Sequence, residues 1–214
     1  MRTLTIRAMD GATNNVLDLN IMPVPNKIII DGLDRLGKST LIKSIRDELG
    51  YFEIVHFSKP QSLAIYDELS TNDGEYNKLQ SYYRYQYNGF ENMMKLLTSK
   101  AKIIFDRSHL GEFVYSPLYR SYSGEYVFDL ERKHTIDHLG DIRLILLTED
   151  FSSSAHFVDD GESLGPVTKR QEEQNRFMSA FSKSIIGDKR VICVTDKNTG
   201  AFRPKREILR EALN

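Results

Sequence analysis

The segment GLDRLGKST at residues 32–40 constrains this chain more than any other feature. It matches the pattern GxxxxGK[ST] and stands between a β-branched run, KIIID at 27–31, and a helical stretch at 39–49. In that context the glycines let the backbone curl so that its N–H groups point at phosphate oxygens. The following helix adds the positive end of its dipole. Lys38 can then reach the β- and γ-phosphates of a nucleoside triphosphate, and the Ser39 hydroxyl can ligate Mg²⁺. A strand–loop–helix unit of this kind belongs to an α/β chain, and the remaining segments must satisfy that class.

They do so in alternation. Further β-branched runs occur at 52–57 (FEIVHF), 101–106 (AKIIFD), 143–148 (RLILLT) and 190–195 (RVICVT). Most are apolar nearly throughout, which suits strands of a parallel sheet covered on both faces. Between them, 39–49 sets Leu41, Ile42, Ile45 and Leu49 on one helical stripe. The stretch 79–97 aligns Leu79, Tyr83, Phe90, Met94 and Leu97, and 173–185 spaces Phe177, Phe181 and Ile185 by four. Right-handed crossovers follow from this order. Residues 1–26 stand outside the series as an N-terminal extension. There 4–7 and 16–19 form either a small hairpin across Asp10-Gly11 or a mobile extension, and Met22-Pro23-Val24-Pro25 reads as a stiff link.

Composition removes several classes of function. At 214 residues and 24.7 kDa, one core and one domain are expected. With 29 Lys and Arg against 30 Asp and Glu, the net charge of −1 argues against a globally basic nucleic-acid binder. A single cysteine, Cys193, forbids an internal disulfide framework and a multi-cysteine zinc site, and fits a reducing, cytoplasmic setting. No apolar run approaches the ~20 residues of a membrane helix. The first 15 residues lack the apolar core of a secretory signal. Neither a membrane nor a nucleic acid is an expected partner.

The run 101–106 ends in Asp106-Arg107-Ser108-His109-Leu110-Gly111. A carboxylate at a strand's C-terminal end beside a phosphate loop can hold Mg²⁺ through water, and the adjacent arginine can take a second phosphate. GLDRLGKST and FDRSHLGEFVY together resemble the thymidylate kinase family, with its GxDxxGK[ST][ST] loop and its DR[YSH] segment. The spacing of the strands agrees over residues 27–214, and 105–120 looks most like the divergent bacteriophage members. The resemblance implies a P-loop kinase fold: a five-stranded parallel sheet flanked by helices, with a lid at about 151–170. It further implies a homodimer and transfer of the ATP γ-phosphoryl group, with Mg²⁺, to a deoxynucleoside monophosphate such as dTMP.

Roles carry over by position. The ATP site is Gly32, Leu33, Asp34, Arg35, Leu36, Gly37, Lys38, Ser39 and Thr40. Asp34 matches the loop aspartate that contacts the acceptor's sugar and the magnesium shell, and Arg107 matches the arginine on the acceptor phosphate. Lys59 stands where an arginine usually shares that phosphate. Arg35 places the chain in the branch that carries an arginine inside the loop, where a guanidinium can bridge donor and acceptor phosphates. Tyr82 falls at the base-stacking aromatic, and Gln86, one turn on, falls where an arginine often reads the base. A carboxamide complements thymine or uracil and, flipped, cytosine, so dUMP stays open as an acceptor beside dTMP. Tyr115 matches the aromatic that crowds the sugar 2′ position, and Ser108 and Gly111 belong to the same acceptor segment. Ser39 and Asp106 are the expected metal ligands.

In the lid, Lys169 and Arg170 either touch phosphates on closure or, the favoured reading, are solvated charges at a helix start, and Asp159, Asp160 and Glu162 read as a solvated acidic turn. Residues 195–200 lie where the family borders adenine. Competing readings are a deoxynucleoside kinase acting on free thymidine, a non-enzymatic ATP-binding regulatory module, and a nucleic-acid end kinase.

Overall fold

A computed structural model describes residues 24–57, 75–152 and 166–214, and within 75–81 only the side chain of Gln80. Lys59, the Leu79 side chain, nearly all of the N-terminal extension and most of the expected lid lie outside what it describes.

The strands are β1 (Lys27–Gly32), β2 (Glu53–His56), β3 (Ile103–Asp106), β4 (Ile142–Thr148) and β5 (Asp188–Cys193). They form one five-stranded parallel sheet in the order β2-β3-β1-β4-β5. β1, β3 and β4 are buried at every residue, which is why their sequences run apolar without alternation. β2 is an edge strand and largely exposed. The helices are α1 (Lys38–Leu49), α2 (Glu75–Leu97), α3 (His109–Tyr119), α4 (Tyr126–Thr135), α5 (Val167–Lys183) and α6 (Lys205–Leu213). Their apolar stripes meet the sheet in one core that includes Ile28, Ile45, Met94, Phe105, Leu144 and Phe177.

Element boundaries shift from the sequence expectation for identifiable reasons. β5 runs from Asp188 rather than from Arg190. Its ladder opens with the Arg143–Asp188 pair, which the Arg143 Nε bond to Asp188 Oδ2 (2.8 Å) reinforces. The helix expected at 173–185 starts at Val167 instead, directly after Pro166, and stops at Lys183. Proline suits a helix start because it has no N–H to satisfy. Ile185 thus lies past the helix, where its amide donates to Glu131 (2.8 Å).

The N-terminal ends of the strands share one device. Lys27 Nζ donates to the carbonyls of Ser99 (2.6 Å) and Ala101, just past α2. Arg143 Nη1 donates to Ala212 (3.0 Å) and Leu213 (2.7 Å) at the end of α6. Lys189 Nζ donates to Phe181 (2.7 Å) and Ser184 (2.5 Å) at the end of α5. Arg143 and Lys189 satisfy carbonyls left over by a helix C-terminus and sit at the negative end of its dipole, and Lys27 holds the turn that follows one.

A buried polar cluster joins α3, α4 and α5. The Glu131 carboxylate, fully buried on α4, lies 3.1 Å from His109 Nε2 and accepts from Ser184 Oγ (2.6 Å) and the Ile185 amide. Burial alone would raise its pKa, but these hydrogen bonds hold it below the ordinary carboxylate range. A depressed carboxylate contributes stability that is fully present above its unfolded pKa of ~4.3 and is lost as pH falls through the lower folded value. Glu131→Gln is therefore expected to lower stability at pH 7 by about 2 kcal/mol. It should also flatten the loss of stability below pH ~4.3, as read by urea denaturation at stepped pH.

Candidate functional site

The site forms where β1 and β3 end. Gly32 closes β1 at φ +130°, and a Cβ there would lie 2.3 Å from the Leu147 carbonyl oxygen on β4. Only glycine fits that approach, so the loop can leave the sheet at this point. The chain then curls through Arg35 (φ +65°) and Gly37 (φ +81°) into α1. Lys38 Nζ donates back to the Gly32 (3.0 Å) and Leu33 (2.6 Å) carbonyls. Burial lowers its pKa, with Asp31 and Asp34 working against that shift.

Asp31 escaped the sequence reading. It is buried at the end of β1 and accepts from the Gly32 amide (2.9 Å) and from Ser108 Oγ (2.6 Å). Ser108 also caps α3 through the Leu110 amide (3.2 Å), so its hydroxyl is engaged inside the frame. Burial raises the Asp31 pKa, opposed by the Ser108 and Gly32 hydrogen bonds and by Lys38.

Arg107 (φ +68°) follows β3, with its amide donating to Ile30 O (3.0 Å). Its guanidinium donates through Nη2 to Asp34 Oδ1 (2.7 Å), and Lys38 Nζ lies 3.9 Å from the same oxygen. Burial would raise the Asp34 pKa, but the Arg107 hydrogen bond and the Lys38 charge hold it below the usual range. Asp34, Lys38 and Arg107 are thus one constellation, as the sequence positions imply. His56, at the end of β2, joins it: Nδ1 is 2.9 Å from Asp106 Oδ2, and Nε2 is 3.2 Å from Arg107 Nη1.

The fit of a divalent cation can be judged from Asp106. Its Oδ1 is buried with no hydrogen-bond partner among the described residues. Asp106 and Ser39 border the same cleft of about 680 Å³, which continues along α1 past Lys43 and Arg46 to Ile54. Among the described residues no group of three or more His, Cys, Asp or Glu side chains could hold a metal alone. One hydroxyl and one carboxylate match Mg²⁺, which keeps most of its waters and takes further ligands from phosphates.

The expected acceptor residues occupy two places. Tyr115 lies on α3 with its ring against Phe177 (5.6 Å between centroids) and Tyr119 (5.9 Å). Burial pushes its phenol pKa well up, and Glu173, Asp34 and Asp31 add to the rise. Gly111, one turn earlier, has Asp31 and Tyr115 as neighbours. Tyr82 and Gln86 sit on α2, buried in an aromatic sector with Tyr122, 6.1 Å from the Tyr82 ring. Glu112 organises that sector by accepting from Arg120, Tyr122 and Tyr126 (3.0 Å). Among the described residues no hydrogen bond engages the Gln86 carboxamide.

Arg170 corrects an expectation. It is not a solvated charge: it is buried at the start of α5, and its Nε donates to Glu149 Oε1 (3.0 Å) at the end of β4. Gln174, one turn on, brackets the Glu149 backbone by accepting from its N–H (2.8 Å) and donating to its carbonyl (3.0 Å). The positive charge of Arg170 is felt at Asp34. Lys169 is exposed as expected and lies 4.7 Å from the centre of the Tyr119 ring. A smaller cleft of about 540 Å³ is lined by Glu149, Phe151, Gln171, Gln174 and Cys193. Beside β5, Asp196 closes a turn by accepting from the Asn198 and Thr199 amides (both 2.9 Å).

No protein-family model matches this sequence, and no curated protein matches it. Solved structures do share its fold. The YorR protein of Bacillus subtilis, in complex with phosphorylated GDP, is 18% identical, with 78% of this chain and 84% of that chain covered and a TM-score of 0.51. The thymidylate kinase of Ehrlichia chaffeensis is 13% identical, covering 86% of this chain and 94% of that chain, also at 0.51. This chain has the fold of the P-loop nucleotide kinases.

Gly32 offers a direct check on the loop. Gly32→Ala is expected to cost about 3 kcal/mol through the close contact with Leu147 and the forced positive φ. The fall in melting temperature measures it.

Proposed function

We propose that the chain is a thymidylate kinase, transferring the γ-phosphoryl group of ATP to dTMP to give dTDP and ADP, with dUMP as a second acceptor. The observation that carries this reading is the Arg107–Asp34 bond (2.7 Å). It ties an arginine at the end of β3 to a phosphate loop whose lysine lies 3.9 Å from the same carboxylate oxygen. Two phosphate-binding cations so joined suit a donor and an acceptor that both carry phosphate.

In this reading the loop at 32–40 and α1 hold the ATP polyphosphate, and Lys38 and Arg35 offset charge on the transferring group. Arg107 grips the acceptor phosphate, with Lys59 as a second cation. A Mg²⁺ ion held by Ser39 and Asp106 would supply further charge neutralisation. An acceptor phosphate oxygen bonds to the γ-phosphorus while the bond to the β,γ-bridging oxygen breaks, and the electron pair leaves on ADP. The phosphate dianion is already a competent nucleophile, so no general base is required and catalysis is positioning and electrostatics. Tyr82 and Gln86 would receive the base, and Tyr115 would disfavour a 2′-hydroxyl. The same reading takes the chain as a homodimer.

The test is ADP release from Mg-ATP with dTMP, dUMP, dCMP, dGMP and dAMP each as sole acceptor, and thymidine beside them. Turnover on dTMP, alone or with dUMP, is expected. Turnover on thymidine alone favours a nucleoside kinase, and silence with retained ATP binding favours a regulatory module. Lys38→Ala and Arg107→Ala are each expected to lower kcat by ~100-fold or more in a folded protein.

A further inference from the structure

We infer that His56 is a positioning residue that fixes the acceptor-side arginine and the strand-end carboxylate together through one imidazole. The inference rests on the proposed role of Arg107. Because β2 pairs with β3 in parallel, His56 and Asp106 are register partners at the last rung of the ladder. The ring thereby meets both residues that follow from the end of β3: Asp106 Oδ2 at 2.9 Å through Nδ1, and Arg107 Nη1 at 3.2 Å through Nε2.

The chemistry of the partners assigns the tautomer. A guanidinium has only donors, so Nε2 accepts from Arg107. The ring proton is then on Nδ1, where it is donated to the Asp106 carboxylate. Two consequences follow. Asp106 keeps one oxygen occupied by His56, and its other oxygen, Oδ1, is the buried acceptor without a partner. Arg107 is anchored at both terminal nitrogens, Nη2 on Asp34 and Nη1 on His56, which fixes the plane of the guanidinium. Asp34 alone is a weak anchor, since its side chain is 45% exposed and stands on a loop. His56 adds a second anchor from a strand, and preorganised donors of this kind need no rearrangement when phosphate arrives. An Nε2 that already accepts from Arg107 is also not poised to take a proton from a hydroxyl acceptor.

The ring is about half exposed, at 47%, so replacing it opens no core. His56→Ala removes both bonds, His56→Gln returns a carboxamide near Nε2, and His56→Asn returns one near Nδ1. With dTMP varied at saturating Mg-ATP, His56→Ala is expected to raise the KM for dTMP about tenfold with kcat changed less. His56→Gln is expected to restore most of that loss and His56→Asn little of it. Long-range ¹H–¹⁵N spectra of the five histidines should show His56 as the Nδ1–H tautomer. An Nε2–H tautomer would overturn the inference. So would an unchanged KM in His56→Ala beside an inactive Arg107→Ala, with the acceptor reading left standing. Near-wild-type turnover in Arg107→Ala would instead overturn the acceptor reading, and this inference with it.

Discussion

One buried carboxylate connects the upper end of this sheet. Asp31 has no solvent to stabilise its charge, and it is held by the Gly32 amide and the Ser108 hydroxyl. Gly32 begins the phosphate loop, and Ser108 caps the helix after Arg107. The two halves of the site are therefore joined through one side chain, although they are far apart in sequence. An unpaired group at this depth would be costly, so the network is fully engaged or the frame does not form.

On that frame the cations come with carboxylate or carbonyl partners. Lys38 bonds to loop carbonyls, Arg107 to Asp34, and Arg170 to Glu149. The arrangement keeps long, flexible side chains in place at a small entropic cost, because the partners already order them.

Much of this was legible in the sequence. The apolar runs at 27–31, 101–106 and 143–148 gave their strands because burial on both faces leaves an unmistakable composition. The loop at 32–40 and Arg107 stood out because they carry recognisable motifs, and the structure brings the two together through the Arg107–Asp34 bond. His56, Glu149 and Asp31 were not, since each is an ordinary polar residue whose role comes from the neighbour that sheet order supplies. The available signal was positional. In a parallel sheet the residues at the carboxyl ends of the strands converge on the site, and these three stand there at the ends of β2, β4 and β1. Arg170 was misjudged because charge at a helix start normally meets water, and only the fold brings Glu149 beneath it.

The opposite end of the sheet is built from Lys27, Arg143 and Lys189, each bonding carbonyls at or just past the end of a helix. Their charges are consumed internally and reach no ligand. The lower rim therefore answers to cohesion, and the loops at the other rim are spared that work. A lineage using this scaffold could redraw its upper loops while the lower rim went on holding the layers in register.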